Sequence, residues 1–307
     1  MSANSTPTKD VLPSLVVHFG GYSNKGIKAE NQDAFTAFLP DNYELETKGA
    51  VSIIADGVSS ANKAKEAAQL AVTQFVSDYY STPETWSTQK SAAKVLTSIN
   101  EWMFSQSNSY SDVHYHTSAN SGVNDDAQQW LTTLSALIFK STTGYLFHVG
   151  DTRISQYRQQ KLTALTRDHN RKQAGKTMVL TRAMGADNRL KVDAQQIDVQ
   201  VGDIYLLTCD GVHEHISDKE FKQVLDALNG AHTSITKETL EQASRQLVDL
   251  ALANGSDDNV SCLLVQIETL PVRQYSELER ALLSKQVLPA LNVGMKLDGY
   301  EVLKTLH

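Results

Sequence analysis

The spacing of apolar and polar positions changes period several times along this chain, and each change marks an element. Apolar runs of strand length and β-leaning composition occupy residues 15–19, 34–39 and 50–55. Beyond them the period lengthens. Ala64, Ala67, Ala68, Ala71, Val72, Phe75 and Val76 recur at helical spacing and predict an amphipathic helix over residues 61–80. Ala92, Val95, Leu96, Ile99, Trp102 and Met103 predict a second helix over 91–105, after a break at Pro83. Residues 108–128 are polar, almost without periodicity, and read as a mobile surface loop. Strands resume at 131–139, 145–149, 154–157, 192–199 and 203–209, two helices follow at 218–228 and 237–254, and a strand at 260–267 closes the pattern. Strands interleaved with paired helices, without strict β-α-β alternation, make the class α+β, with packed, mainly antiparallel sheets flanked by helices.

From Pro271 onward the character shifts: residues 277–288 have a short helical pattern, and 297–303 read as a new strand with nothing left to pair with. The expected organisation is a flexible tail over 1–11, one domain over 12–270, and a linker with the start of a further domain over 271–307, so the chain reads as an excerpt of a longer protein. No apolar run approaches the ~20 residues of a membrane span, and the first residues lack the apolar centre of a signal peptide. The expectation is a cytoplasmic segment without membrane contact, any anchor lying in a missing C-terminal part. Cys209 and Cys262 each sit inside an apolar run and read as core thiols. A net charge of −7 argues against a nucleic-acid partner, which needs a basic face, and fits a protein that concentrates carboxylates.

The carboxylates recur in one local setting. The run over 203–209 stops at Asp210-Gly211, the run over 50–55 stops at Asp56-Gly57, and Asp257-Asp258-Asn259 opens directly into the closing strand. A single Asp-Gly is usually an ordinary turn. If neighbouring strand ends bring several together, the carboxylates repel, and a divalent cation neutralises them. Other motifs carry less. Gly175-Lys176-Thr177 resembles the end of a phosphate-cradling loop but lacks the upstream glycine, since Asn170 holds that position. His213-Glu214-His215 lacks the helical spacing of a zinc pair, and no Gly-x-Ser-x-Gly elbow exists for a serine nucleophile. What remains is an oxygen cluster of Asp33, Asp56, Asp210 and Asp258, with the Gly57 carbonyl as a neutral ligand. Such donors suit Mg²⁺ or Mn²⁺, and two such ions ~3.5–4 Å apart activate water for in-line attack on a phosphoester.

With these residues the chain resembles the type 2C metal-dependent serine/threonine protein phosphatases. The matching stretches include Glu30-Asn31-Gln32-Asp33-Ala34, Ala55-Asp56-Gly57-Val58, Leu131-Thr132-Thr133-Leu134, His148-Val149-Gly150-Asp151-Thr152-Arg153, Leu165-Thr166-Arg167-Asp168-His169, Leu180-Thr181-Arg182-Ala183-Met184-Gly185, Leu207-Thr208-Cys209-Asp210-Gly211-Val212 and Ser256-Asp257-Asp258-Asn259-Val260-Ser261, in the family's order across nearly all of 15–268. The resemblance implies a four-layer α-β-β-α sandwich with a two-metal site at one end of the sheets. It assigns metal ligation to Asp33, Asp56, Gly57, Asp210 and Asp258, with Asp56 bridging both ions and Asp56 and Asp210 as catalytic. It places Gln32, His169 and Asn259 around the ligands, His169 to orient a ligand carboxylate.

Departures matter too. Gln32 replaces a common Glu, lowering the charge around the ions. Lys28 stands where relatives carry the phosphate-binding Arg, and offers a point charge in place of a bidentate fork. Val58 replaces a His proposed as general acid in some relatives, and Leu131 replaces a glycine. No Asp is read at the position that holds a third ion in many bacterial members, although Asp125 and Asp126 lie in the polar loop. Asp151 and Arg153 are expected to form a structural ion pair. The short stretch 170–179, with Arg171, Lys172 and Lys176, reads as a basic lip favouring acidic or phosphorylated loops. Residues 297–302 are similar to the opening strand of a protein-kinase small lobe. That likeness implies a parent joining phosphatase and kinase, the kinase being a natural substrate. The competing readings are a degenerate phosphatase module that regulates or docks a fused kinase, and a two-metal phosphodiesterase or nuclease.

Overall fold

The computed structural model describes residues 13–115, 128–172, 178–230, 234–275, 277–279, 293–297, 300–301 and 303–304. It divides into two compact units, Met1–Val272 and Arg273–His307. The tail over 1–11, the middle of the polar loop at 116–127, with Asp125 and Asp126, and Lys176 lie outside the described residues.

In the first unit one five-stranded sheet contains β1 (Val16–Asn24), β6 (Arg153–Arg158), β7 (Lys161–Ala164), β11 (Ile204–Thr208) and β12 (Val260–Thr269), in the order β1-β12-β11-β6-β7. A second contains β2 (Asp33–Phe38), β3 (Ala50–Asp56), β4 (Leu134–Lys140), β5 (Thr143–Val149) and β10 (Asp193–Asp198), in the order β10-β5-β4-β3-β2. Every pairing in both sheets is antiparallel. The alternation within each strand decides the layering. Ala50 and Ile54 of β3, Tyr205 and Leu207 of β11, and Leu263 and Val265 of β12 meet in a core between the sheets. Their neighbours face outward: Val51 and Ile53 pack under α2 (Ala64–Ser81) and α3 (Thr88–Tyr115). On the other side Ile204, Leu206 and Leu264 pack under α5 (Asp218–Gly230) and α6 (Lys237–Ala253). Burying both faces of each sheet yields the expected four-layer α-β-β-α sandwich.

The structure corrects several readings. Helix α3 continues through Tyr115, so 108–115 is helix; its polar last turns carry no apolar stripe from which to read it. Short elements without a readable period were missed: α1 (Asn42–Thr47), β7, the hairpin of β8 (Asn170–Lys172) and β9 (Met178–Leu180), and α4 (Asp210–His213). In the second unit the lone strand over 297–303 is instead β13 (Lys296–Leu297) paired antiparallel with β14 (Tyr300–Glu301).

Candidate active site

The aspartates are gathered by strand register. Asp33 begins β2, Asp56 ends β3, and the two are directly paired across the ladder. Asp210 follows β11 and begins α4, while Asp258 stands just before β12. Because β11 and β12 are antiparallel neighbours, the end of one lies beside the start of the other. The four carboxylates therefore share one edge of the sandwich.

Each is held by its surroundings. Ser261 Oγ donates to Asp33 Oδ2 at 2.6 Å, Ser23 and Ser261 hydroxyls are 2.7 Å apart, and Asn31 Nδ2 donates to Ser23 Oγ at 2.7 Å. The Ser23–Ser261 pair spans the β1–β12 ladder, so this chain of hydroxyls carries the first sheet's support to a carboxylate of the second. The Asp56 backbone is clamped: its N–H donates to Thr133 Oγ1 at 3.0 Å, and its carbonyl accepts from Thr133 N at 2.8 Å and Thr132 Oγ1 at 2.9 Å. Gly57 N donates to Gln32 O at 3.1 Å, tying the two strand ends together. On the opposite sheet a Cβ on Gly211 would stand 2.1 Å from the Asn259 carbonyl, so only glycine lets the Asp210 turn pack against the Asp258 turn.

These carboxylates disturb one another. Burial pushes Asp33 up to about 6. Burial, then the fields of Asp33, Asp210, Asp151 and Asp258, hold Asp56 well above the usual carboxylate range. Burial and Asp258 raise Asp210. Asp33 Oδ1 is buried without a partner. A buried carboxylate oxygen with nothing to accept from, facing further carboxylates, is the environment a hard dication relieves, and the donors are oxygens throughout. The residues thus fit Mg²⁺ or Mn²⁺. Among the described residues no three acidic, imidazole or thiol side chains stand close enough together to hold an ion by themselves. Asp56, Asp151, Asp210 and Asp258 instead line an open cleft of about 520 Å³. Its lining also includes Val58, Leu131, Val179, Leu180 and Arg182.

The remaining expected residues fall into place unequally. Lys28 Nζ lies 2.9 Å from Asp258 Oδ2. Asn259 is a latch for the loop bearing Lys28: its side chain donates to the carbonyls of Lys25 and Glu30 at 2.9 and 3.0 Å and accepts from Gln32 N at 2.8 Å. Gln32 contributes mainly through this backbone link, its amide resting 3.5 Å from Glu30. His169 hydrogen-bonds none of the four aspartates. Its Nδ1 accepts from Gly150 N at 3.1 Å and its Nε2 lies 3.0 Å from Asp193 Oδ2, so it steadies the turn that carries Asp151.

Asp151 is the main omission of the sequence reading. Its expected pairing with Arg153 does not form, because Arg153 reaches Asp168 with NH2 at 2.6 Å. Asp151 faces the cleft instead, and burial together with Asp210 and Asp168 pushes it up to about 7. It follows the apolar strand β5 as Asp210 follows β11, so the signal that found Asp210 also marked this one. Ser261 was missed because a serine inside an apolar strand reads as a tolerated core hydroxyl.

Two packed antiparallel sheets with strand-end aspartates lining a common cleft define a phosphoester-hydrolase type of centre, and comparison with known proteins agrees. The family model described as Protein phosphatase 2C matches residues 20–252. The chain belongs to the protein phosphatase 2C family. It is 24% identical over 257 residues to a protein phosphatase 2C-type protein of Streptococcus pyogenes, covering 79% of this chain and 94% of that one. It is also 24% identical over 241 residues to the serine/threonine phosphatase stp of Listeria monocytogenes, covering 73% and 87%. Among solved structures, the catalytic domain of the serine/threonine protein phosphatase PstP in complex with two manganese ions superposes with a TM-score of 0.60 at 22% identity, covering 83% of this chain and all of that one.

Proposed function

We infer that this protein is a metal-dependent serine/threonine phosphoprotein phosphatase, a phosphoric monoester hydrolase that cleaves phosphoserine and phosphothreonine. The observation that supports this most directly is the buried, unpartnered Asp33 Oδ1 among Asp56, Asp210 and Asp258 at one sheet edge. Asp33, Asp56, the Gly57 carbonyl, Asp210 and Asp258 would hold two ions, Mg²⁺ or Mn²⁺. When bound, such a pair supplies Lewis acidity that activates water and draws charge from the phosphoryl oxygens. Asp151 adds a carboxylate on the Asp210 side suited to a third ion. The chain's own groups do the positioning. Lys28 stands beside Asp258, where its ammonium meets an incoming phosphate, and the clamped backbone of Asp56 keeps that carboxylate in place. Val58 on the cleft wall has no proton to give, so the leaving oxygen takes its proton from water. Arg171, exposed on β8, and Arg182 on the cleft wall provide a cationic approach for acidic or phosphorylated protein loops, a fused or cognate kinase among them. Retention of all four aspartates weighs against a purely docking module, which gains nothing from mutually repelling acids.

The test is hydrolysis of p-nitrophenyl phosphate. Activity is expected with Mn²⁺, to vanish on chelation, and to fall at least a hundredfold in Asp210→Asn. Undiminished turnover in chelator, or in Asp210→Asn, refutes the reading.

A further inference from the structure

The carboxylate cluster is not uniform. At the Asp33 end one buried oxygen has no partner, so an entering ion displaces nothing from it. At the Asp258 end both oxygens are occupied: Oδ1 accepts from Asn259 N at 2.7 Å, and Oδ2 accepts from Lys28 Nζ at 2.9 Å. The base of this side chain is fixed. Its backbone N–H bonds Lys25 O at 3.3 Å, and the loop on either side is latched by Asn259. The tip is free to swing, since the side chain is 38% exposed on a flexible four-carbon stem.

From this asymmetry, and resting on the two-ion reading above, we propose that Lys28 is a tethered counter-ion that competes with a divalent cation for Asp258. Three consequences follow from charge and geometry. The two ions bind with unequal affinity, because the one at Asp258 must first displace an ammonium and then sit beside it. The displaced ammonium, unable to leave, turns outward over the cleft, where a substrate phosphate arrives. Metal loading and phosphate capture are therefore coupled through one side chain, and by reciprocity each favours the other. Lysine suits this exchange better than arginine, because a compact point charge has less to lose than a planar fork bound at two oxygens.

The experiment measures Mn²⁺ binding by isothermal titration calorimetry, without substrate, in wild type and Lys28→Met, which keeps the stem and removes the charge. Wild type is expected to show a tight and a weak step. In Lys28→Met the weak step tightens about fivefold, the factor that a partly exposed ion pair is worth, and the tight step stays put. A second readout is reductive methylation of wild type followed by mass spectrometry: Lys28 is expected to be modified severalfold faster with Mn²⁺ than in chelator, while Lys219 and Lys222 on α5 are unaffected. An unchanged or weakened second step in Lys28→Met, or Lys28 modification that Mn²⁺ does not accelerate, overturns the proposal while leaving the two-ion reading intact. Failure of wild type to bind Mn²⁺ overturns that reading, and this inference with it.

Discussion

Gly57→Ala isolates the geometry of the centre from its charge. A Cβ on Gly57 would stand 2.4 Å from the Ala64 carbonyl oxygen and 2.6 Å from its carbon, where ordinary contact begins at 3.4 Å. About 1 Å of displacement must be found somewhere. It cannot come cheaply from α2, whose first residue, Ala64, is buried at 1% exposure and whose preceding Lys63 N–H is bonded to Gln129 O. The shift therefore falls on the Asp56-Gly57 turn, whose carboxylate and carbonyl would hold the proposed ions. Overpacking of this kind costs about 1–3 kcal/mol, a fall in melting temperature of roughly 3–10 °C. A misplacement near 1 Å costs reactions of this type about a hundredfold in rate. The assays are scanning calorimetry and p-nitrophenyl phosphate hydrolysis across a Mn²⁺ titration. Gly230→Ala is the control: nothing lies within 4 Å of its Cβ, and it is expected to match wild type. Wild-type activity and Mn²⁺ affinity in Gly57→Ala would falsify the placement of this turn in the metal site.

Other expectations come from the surroundings of the site. Ser261→Ala strips the hydroxyl hydrogen bond from the buried Asp33 Oδ2, so Mn²⁺ affinity should drop about tenfold and stability by about 1–3 kcal/mol, with Ser261→Thr restoring both; calorimetric titration decides, and unaltered affinity in Ser261→Ala removes Ser261 from the mechanism. Burial and the neighbouring His169 lower His148 from 6.5 to about 4, so its neutral form is the one that fits the fold. Its contribution is complete above pH ~6.5 and is lost as pH falls from there through about 4, worth at most about 3 kcal/mol. The stability gap between wild type and His148→Gln in urea titrations should accordingly narrow on acidification, and a gap independent of pH contradicts this assignment. Neutralising Arg171 and Lys172 together should raise KM on an acidic phosphoprotein severalfold at low salt, leaving KM for p-nitrophenyl phosphate alone; equal KM values on the phosphoprotein remove the basic lip.

Much of the architecture was legible in the sequence because its signals are local. A period of two separates Ile53 from Ile54 and Leu206 from Leu207, and that alternation assigns their faces without knowledge of what covers them. A period near 3.6 marks α2, α5 and α6 in the same way. Asp56 and Asp210 were visible as acids closing apolar strands, and this pattern is likewise read from a few consecutive residues. The short hairpin β8–β9 and the polar last turns of α3 carry no such stripe, and they escaped. Which strand ends become neighbours is a different kind of information. Asp33 meets Ser261, 228 positions away, only because β2 of one sheet stacks against β12 of the other. Arg153 chooses Asp168 over Asp151, two residues away, because Asp151 stands in the bend before β6 and faces the cleft, while the chain after β7 returns beside Arg153. Side-chain period and strand length were set by the sequence alone. The meeting of the aspartates, the latch of Asn259 and the seat of Lys28 on Asp258 came from tertiary packing, since register and sheet stacking are settled by the summed burial of both sheet faces and not by any one segment.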